Sequence, residues 1–229
     1  MFSGFPKELV GFFASLSFHN NRAFFEENRQ VYENAVKKPL YELCEALAPT
    51  VREIDPLLDT RPVRSVSRIY RDVRFAKDKS PYREYMWIGY RRVGESREDT
   101  CGFYFDISQA EAHWGCGFYH AQQKTMQALR DKILLSPRQV MQVLESVRDG
   151  VSFDIKGEAY VKKFAPPDTL APLLQKAYRM KNIYAEHTAE NFALVYSDTL
   201  ADEIAKGFIA LAPFYTLLRD CMEHNKEVY

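Results

Sequence analysis

Positive side chains are concentrated in one stretch of this sequence. Residues 61 to 97 hold eleven basic and four acidic residues, a net charge of +7, whereas the whole chain carries 31 of each sign. At the centre of the stretch Arg68, Arg71 and Arg74 recur every third residue, and Lys79 follows them. Guanidinium groups donate paired hydrogen bonds to phosphate or carboxylate oxygens, and an ammonium group adds a point charge. This composition favours a site for an anionic partner.

Two aspartates and a tyrosine belong to the same segment. Asp72 and Asp78 are expected to orient the arginines, and Tyr82 is expected to add a hydroxyl donor. Three functions remain open. The first is the binding or processing of an anionic, phosphate- or carboxylate-bearing small molecule. The second is nucleic-acid binding through the same basic residues with aromatic stacking on bases. The third is a non-catalytic scaffold or interaction module, for which the charged residues should be buried and paired with one another.

A second candidate set follows from two adjacent strand patterns. Residues 101 to 108 and 112 to 120 alternate apolar and polar side chains, with a turn expected at residues 109 and 110. In such a hairpin Asp106 lies opposite His113 on the polar face. A carboxylate that orients an imidazole suits acid–base chemistry, but it is also an ordinary cross-strand pair, and the sequence favours the ordinary pair.

The polar face of that hairpin also carries Gly115, Gly117 and Tyr119. Glycine inside a strand indicates the close approach of a ligand, a bulge or another packed element. A helix or an aromatic ring is expected to fill this gap. No metal site is expected, because His113 falls on the opposite face from the other potential ligands nearby. The four cysteines contain no C-x-x-C pair, so reduced and mostly buried thiols are expected.

The elements that must position these residues follow from hydrophobic periodicity. The pattern of residues 6 to 55 predicts helices. Period-two patterns predict strands at Val63 to Tyr70, Tyr85 to Val93, Cys101 to Ser108 and Ala112 to His120. Further short strands are predicted near residues 151 to 155 and 182 to 186. Helices are expected from a capping box at Ser136, from Asp168, and from about Asp198 with a kink or division at Pro213. The sequence predicts one domain, 1 to 229, of the α+β class. Its sheet should be mainly antiparallel with four to six strands, and N-terminal, central and C-terminal helices should pack chiefly on one face.

The basic segment resembles the hallmark of a bacterial family catalogued as domain of unknown function 2461. The resemblance rests on the pattern R-x-x-R-D-x-R-F-x-x-D-K-x-x-Y, which is formed here by Arg68, Arg71, Asp72, Arg74, Phe75, Asp78, Lys79 and Tyr82. It extends upstream to Asn20-Asn21-Arg22 with Phe25 and Tyr32. Downstream it extends to Gly115-x-Gly117-x-Tyr119, Lys181-Asn182-Ile183-Tyr184 and Leu211-Ala212-Pro213, so that it covers essentially the whole chain. The resemblance implies no activity.

The remaining sequence features bear on the setting of the protein. The first residues lack the basic start of a signal peptide, and no apolar run approaches the roughly 20 residues that a membrane span needs. A cytoplasmic, soluble protein without a membrane partner is therefore expected. A net charge of zero argues against a surface that coats nucleic acid throughout, although it leaves room for a local basic patch. The sequence assigns no reaction, cofactor or oligomeric state.

Overall fold

The computed structural model describes residues 2–95, 100–148, 153–189 and 191–224. Helices dominate, and an antiparallel sheet of five strands accompanies them in the described residues, which confirms the α+β class. The helices are α1 Glu8–Phe18, α2 Arg22–Glu27, α3 Arg29–Val31, a π-helical segment Tyr32–Lys37, α4 Lys38–Ile54, α5 Pro62–Ser65, α6 Gln123–Leu135, α7 Pro137–Ser146, α8 Pro172–Tyr178, α9 Phe192–Val195 and α10 Leu200–His224. None of them, within the described ranges, combines the length and the apolar character needed to span a bilayer.

The sheet has the strand order β1-β2-β3-β5-β4. Its strands are β1 Tyr85–Tyr90, β2 Cys101–Ser108, β3 Ala112–Phe118, β4 Asp154–Lys156 and β5 Tyr184–Thr188. The N–H of Ser108 donates to the carbonyl of Glu111 over 2.9 Å and closes the predicted turn between β2 and β3. The predicted alternation is confirmed as well, because Phe103, Phe105 and Ile107 are buried while the residues between them are partly exposed.

Contacts between Cα atoms group the chain into two units. The first unit contains the chain up to Tyr90, Tyr104–Trp114 and Thr188–Ala205, and the second contains Arg91–Phe103, Gly115–His187 and the chain from Lys206 onward. Each unit has its own apolar packing. In the first unit the rings of Phe5 and Phe105 stack with centroids 5.9 Å apart. In the second unit the ring of Phe103 lies 4.9 Å from that of Phe208 on α10.

The N-terminal helices form where the sequence predicts them. The apolar stripe on α1, which includes Leu9, Phe13 and Leu16, is fully buried. Asn21 caps α2, since its side-chain oxygen accepts a hydrogen bond from the N–H of Phe24 over 3.0 Å. All four cysteines are free and buried, as the sequence predicts.

The predicted strand from Val63 to Tyr70 is wrong. Residues Pro62–Ser65 form α5 instead, because proline at the first helical position already has the helical φ and needs no hydrogen-bond partner for its nitrogen. Beyond this helix the backbone pairs at two isolated antiparallel bridges, Val66 with Ile88 of β1 and Tyr70 with Tyr82. The basic segment therefore lies on an irregular connection rather than on a regular strand.

Three further predictions in the C-terminal half differ from the structure. The helix expected from Asp168 begins at Pro172, which takes the first-turn position of α8. Pro213 does not divide the last helix, since α10 continues through it to His224. Ser136 precedes α7, yet its side chain makes no capping hydrogen bond, so the capping box is wrong. Residues 96 to 99, which include Arg97 of the basic stretch, and Val151 of the predicted strand near 151 to 155 lie outside the described residues.

Candidate functional site

The centre of the basic segment forms a closed loop at the end of a short two-stranded ribbon. We call residues 71–81 the basic loop. Tyr70 and Tyr82 form an antiparallel bridge at its base, and the N–H of Arg71 donates to the carbonyl of Pro81 over 2.9 Å. Because both ends of the loop are joined by backbone hydrogen bonds, the loop leaves and re-enters the fold at one point.

Asn20, which lies between α1 and α2, fixes the base of the loop. Its side-chain nitrogen donates to the carbonyl of Tyr82 over 3.0 Å, and its side-chain oxygen accepts from the N–H of the same residue over 3.0 Å. The ring of Phe25 stacks on the ring of Tyr82 with centroids 4.3 Å apart, and Tyr32 lies 5.4 Å from Phe25. The ring of Tyr82 is therefore part of the core, and burial raises the pKa of its hydroxyl group.

Two arginine–aspartate pairs brace the loop from within. The Nη2 atom of Arg74 lies 2.6 Å from the carboxylate of Asp72, and its Nε lies 2.9 Å from the other oxygen, which makes a forked contact. The side-chain hydrogen bond from Arg74 lowers the pKa of Asp72 to about 2. Arg71 forms the second pair with Asp78. These residues pair with one another as the scaffold alternative predicts, but three of the four are exposed rather than buried.

Further hydrogen bonds hold the second half of the loop, residues 78–80. The hydroxyl and the N–H of Ser80 donate to one oxygen of Asp78 over 2.6 and 2.9 Å. These two bonds and the contact with Arg71 hold the pKa of Asp78 well below its usual range. The ammonium group of Lys79 donates to the carbonyl of Val73 over 2.9 Å. The cation of Lys79 is thus directed into the loop itself.

Other side chains of the segment are left facing solvent. Phe75 is 95% exposed, and the guanidinium carbon of Arg74 lies 5.9 Å from the centre of its ring. Arg68, just before the loop, and Lys77, within it, are exposed and make no ion pair in the part of the chain that the structure describes. The tip of the loop therefore presents an aromatic ring accompanied by positive charge.

Three cations elsewhere in the basic segment contact a carboxylate or an aromatic ring. Arg61 pairs with Asp59 over 2.5 Å, and Arg92 pairs with Glu223 over 2.8 Å. The guanidinium carbon of Arg83 lies 4.9 Å from the centre of the Trp87 ring. Of the predicted anion-binding residues, the basic loop brings Arg71, Arg74 and Lys79 together; Arg68 precedes it, and Tyr82 lies beneath it.

The predicted pair on the polar face of the hairpin is present. Nδ1 of His113 lies 3.4 Å from the carboxylate of Asp106, and Nε2 lies 3.3 Å from that of Glu111. The hydrogen bond between Ser108 and Glu111 sets a register in which residues 106 and 113 face each other. Both contacts are longer than a well-formed hydrogen bond. The geometry of Asp106 and His113 is that of an ordinary cross-strand polar pair.

A side chain is excluded at Gly117 for a different reason from the one expected. Its φ is +145°, and a side-chain carbon there would lie 2.5 Å from the carbonyl oxygen of Ile183 and from the Cα of Tyr184. The approaching backbone of the segment entering β5, rather than a helix or a ring, excludes a side chain at this position. Gly115 lies two residues earlier on the same strand and is buried.

A cleft of about 490 Å³ lies next to this close approach. It is lined by Tyr119, His120, Ile155, Lys156, Gly157, Glu158, Lys176, Asn182 and Tyr184. The side chain of Asn182 joins two parts of the rim, since it donates to the carbonyl of Tyr119 over 2.6 Å and accepts from the N–H of Glu158 over 2.7 Å. Of these residues the sequence marked Tyr119 as a candidate site residue. Asn182 was missed, and its only sequence signal is that it falls in the downstream part of the family resemblance.

The antiparallel sheet and the helices define an α+β protein, and the basic loop is an exposed, internally braced segment of it. The resemblance noted in the sequence is confirmed: the chain belongs to the family described as conserved hypothetical protein (DUF2461), whose sequence model matches residues 8–217. Comparison with curated proteins finds no match.

Proposed function

We propose that the chain binds a phosphate-bearing partner through the basic loop, with a base of that partner stacked on Phe75, and that this partner is single-stranded nucleic acid. One observation carries the proposal: a phenylalanine that is 95% exposed is held on a loop fixed at its base and braced inside. Burying such a side chain is favourable by about 1.5–3 kcal/mol, so the ring has free energy to contribute to a complex.

Charge supports a phosphate-bearing partner. The basic loop holds four cations and two carboxylates, a net charge of +2. Lys77 makes no ion pair in the described residues, and Arg68 adds a second unpaired cation next to the loop. The pair between Arg74 and Asp72 is exposed, and exposed pairs contribute little to stability, so a phosphate can compete for this guanidinium.

The shape of the loop favours a strand over a small molecule. Small ligands are held in concave pockets that bury most of their surface, whereas Phe75 protrudes into solvent. A single-stranded oligonucleotide can stack one base on the ring and place neighbouring phosphates on the cations, as in sequence-tolerant binding of single strands. A duplex keeps its bases stacked and offers the ring no face.

Fluorescence anisotropy with a labelled single-stranded oligonucleotide of mixed sequence tests the proposal. Stacking of one base is worth about 1–3 kcal/mol, so Phe75→Ala should weaken binding by about 5- to 150-fold. Phe18→Ala is the matched control, because Phe18 is 84% exposed and lies outside the loop. With two or three phosphate contacts, raising the salt from about 50 to about 200 mM should weaken binding about tenfold, and Lys77→Ala should reduce that dependence.

Two further ligands identify the source of the phosphate. A mononucleotide should bind far more weakly than the oligonucleotide, and a duplex of the same sequence should bind without dependence on Phe75. Equal affinity for the mononucleotide would instead support the small-molecule hypothesis. If the oligonucleotide is not retained at low salt, or if Phe75→Ala and Phe18→Ala behave alike, the proposal is wrong.

A further inference from the structure

Arg130 on α6 is buried in an unusual way. The residue is 1% exposed, its Nε donates to the carbonyl of Tyr178 over 2.8 Å, and its Nη2 donates to the carbonyl of Met180 over 2.6 Å. Its remaining nitrogen, Nη1, is buried and has no hydrogen-bond partner. A buried guanidinium normally uses all its donors, so one edge of this group is left available.

No carboxylate lies within ion-pair distance of Arg130 in the described part of the chain. The two carbonyls that it binds lie at the end of α8 and just beyond, where the last carbonyls of a helix carry partial negative charge. Partial charges of this kind offset only part of the cost of burying a full positive charge. The desolvation of Arg130 also lowers the pKa of its guanidinium, in agreement with an uncompensated cation.

The ring of Phe164 covers this guanidinium. Its centroid lies 3.8 Å from the central carbon of Arg130. Phe164 has a φ of 59° and is the only non-glycine residue with positive φ among those that the structure describes. A phenylalanine in the left-handed region is strained, and strain of this kind is concentrated at ligand clamps and switch regions. The position of the covering ring is therefore accompanied by backbone strain at Phe164.

Two more cations surround the same aromatic group. The ammonium of Lys163 lies 5.0 Å from the centre of the Phe164 ring and 5.5 Å from that of Tyr160, and Lys181 lies 5.5 Å from Tyr160. In the described residues one ion pair offsets these two lysines, from Lys181 to Glu158 over 3.2 Å. Both lysines are exposed while Arg130 lies beneath the rings, so positive charge surrounds the aromatic layer.

We propose that this cluster, defined as Arg130, Tyr160, Lys163, Phe164 and Lys181, is a binding site for a small oxyanion such as a phosphate or a carboxylate. The anion binds the free Nη1 edge of Arg130 when the Phe164 ring moves aside, and Lys163 and Lys181 close over it from the solvent side. Arg130 supplies a directed donor and the lysines supply charge, which is the usual division between these side chains in oxyanion sites. The strain at Phe164 favours withdrawal of the ring.

Isothermal titration with inorganic phosphate, at an ionic strength held constant with sodium chloride, tests this site. The wild-type protein should bind one phosphate saturably. Phe164→Gly should bind about tenfold more tightly, because a site that is open only part of the time loses affinity in proportion, and glycine both removes the covering ring and accepts the left-handed backbone. Lys163→Ala should weaken binding several-fold, and Lys162→Ala, an exposed neighbouring lysine, should leave it unchanged.

Separate experiments determine where the anion binds and which kind of anion the site accepts. In nitrogen-edited NMR spectra the Nε–H signal of Arg130 should shift with phosphate along the same binding curve, and acetate in place of phosphate distinguishes a general oxyanion site from a phosphate site. If neither wild type nor Phe164→Gly binds saturably, or if Lys163→Ala and Lys162→Ala are indistinguishable, Arg130 serves only to hold the end of α8. Phe75→Ala should not change the phosphate titration, so failure here is separate from failure at the basic loop.

Discussion

Replacing Asn20 by alanine should loosen the base of the basic loop. The side chain makes two hydrogen bonds of 3.0 Å with the backbone of Tyr82, which is 62 residues away in sequence. A hydrogen bond of this type contributes about 1 kcal/mol, so Asn20→Ala should lower the free energy of unfolding by about 2 kcal/mol. Most of the loss arises because the N–H and the carbonyl of Tyr82 keep no partner of equal geometry.

Urea denaturation followed by circular dichroism measures this loss. The midpoint should fall while the slope stays unchanged, since the surface exposed on unfolding is the same. Asn34→Ala is the matched control, because the side-chain oxygen of Asn34 accepts one exposed hydrogen bond, from Gln30 one helical turn away, and such pairs contribute about 0.2–0.5 kcal/mol. If Asn20→Ala lies within about 0.5 kcal/mol of the control, Asn20 does not anchor the loop.

Two further predictions concern a glycine and a carboxylate. Gly117→Ala should destabilise the protein by about 3 kcal/mol or more, because the backbone there has a φ of +145° and the new carbon lies 2.5 Å from the carbonyl oxygen of Ile183. Gly11→Ala is the control: Gly11 lies in α1 with open space around it, so this change should stabilise the protein by about 0.5–1 kcal/mol in the same urea assay. Asp72 should titrate near pH 2 in carboxyl-carbon NMR spectra, and Arg74→Ala should raise this pKa towards the ordinary value of about 4, while the hydrogen bond from the N–H of residue 74 keeps part of the decrease. The contribution of Asp72 to stability is therefore present above about pH 4 and is lost as the pH falls towards 2. An unshifted Asp72, or a neutral Gly117→Ala, contradicts the corresponding geometry.

The sequence predicts best the elements whose side chains alternate between two environments. Residues 101 to 108 have apolar side chains at every second position, and β2 has these bounds. The turn at residues 109 and 110 follows from the polar residues between two such runs. In both cases neighbouring residues along the chain decide the structure, so a local pattern is sufficient.

Prediction fails where proline competes with a pattern. Val63 to Tyr70 is rich in residues that favour strands, but Pro62 starts a helix that takes the first half of this stretch, and the second half pairs at isolated bridges. Pro172 in the same way sets the start of α8. Both prolines are visible in the sequence as possible helix starts. The predictions followed the hydrophobic period instead and were therefore wrong.

The candidate sites were predictable only as far as their contacts are local. Asp72 and Arg74 are two residues apart, so their pairing is within reach of a sequence argument. The anchoring of Tyr82 by Asn20 is not, because it depends on where two distant segments meet. Arg130 is harder still: an arginine on a helix predicts a solvated side chain, and its carbonyl partners lie 48 and 50 residues further along the chain.

The charged residues of the basic loop therefore act on the loop itself. If Arg71, Arg74 and Lys79 served mainly as free cations, their donors would point outward, but they bind Asp78, Asp72 and a loop carbonyl. Exposed ion pairs of this kind add little to the stability of the whole fold. Their physical effect is to restrict the loop, which reduces the entropy that a partner must otherwise remove on binding. The binding hypothesis therefore centres on Phe75, which is 95% exposed, rather than on the arginines that hold the loop.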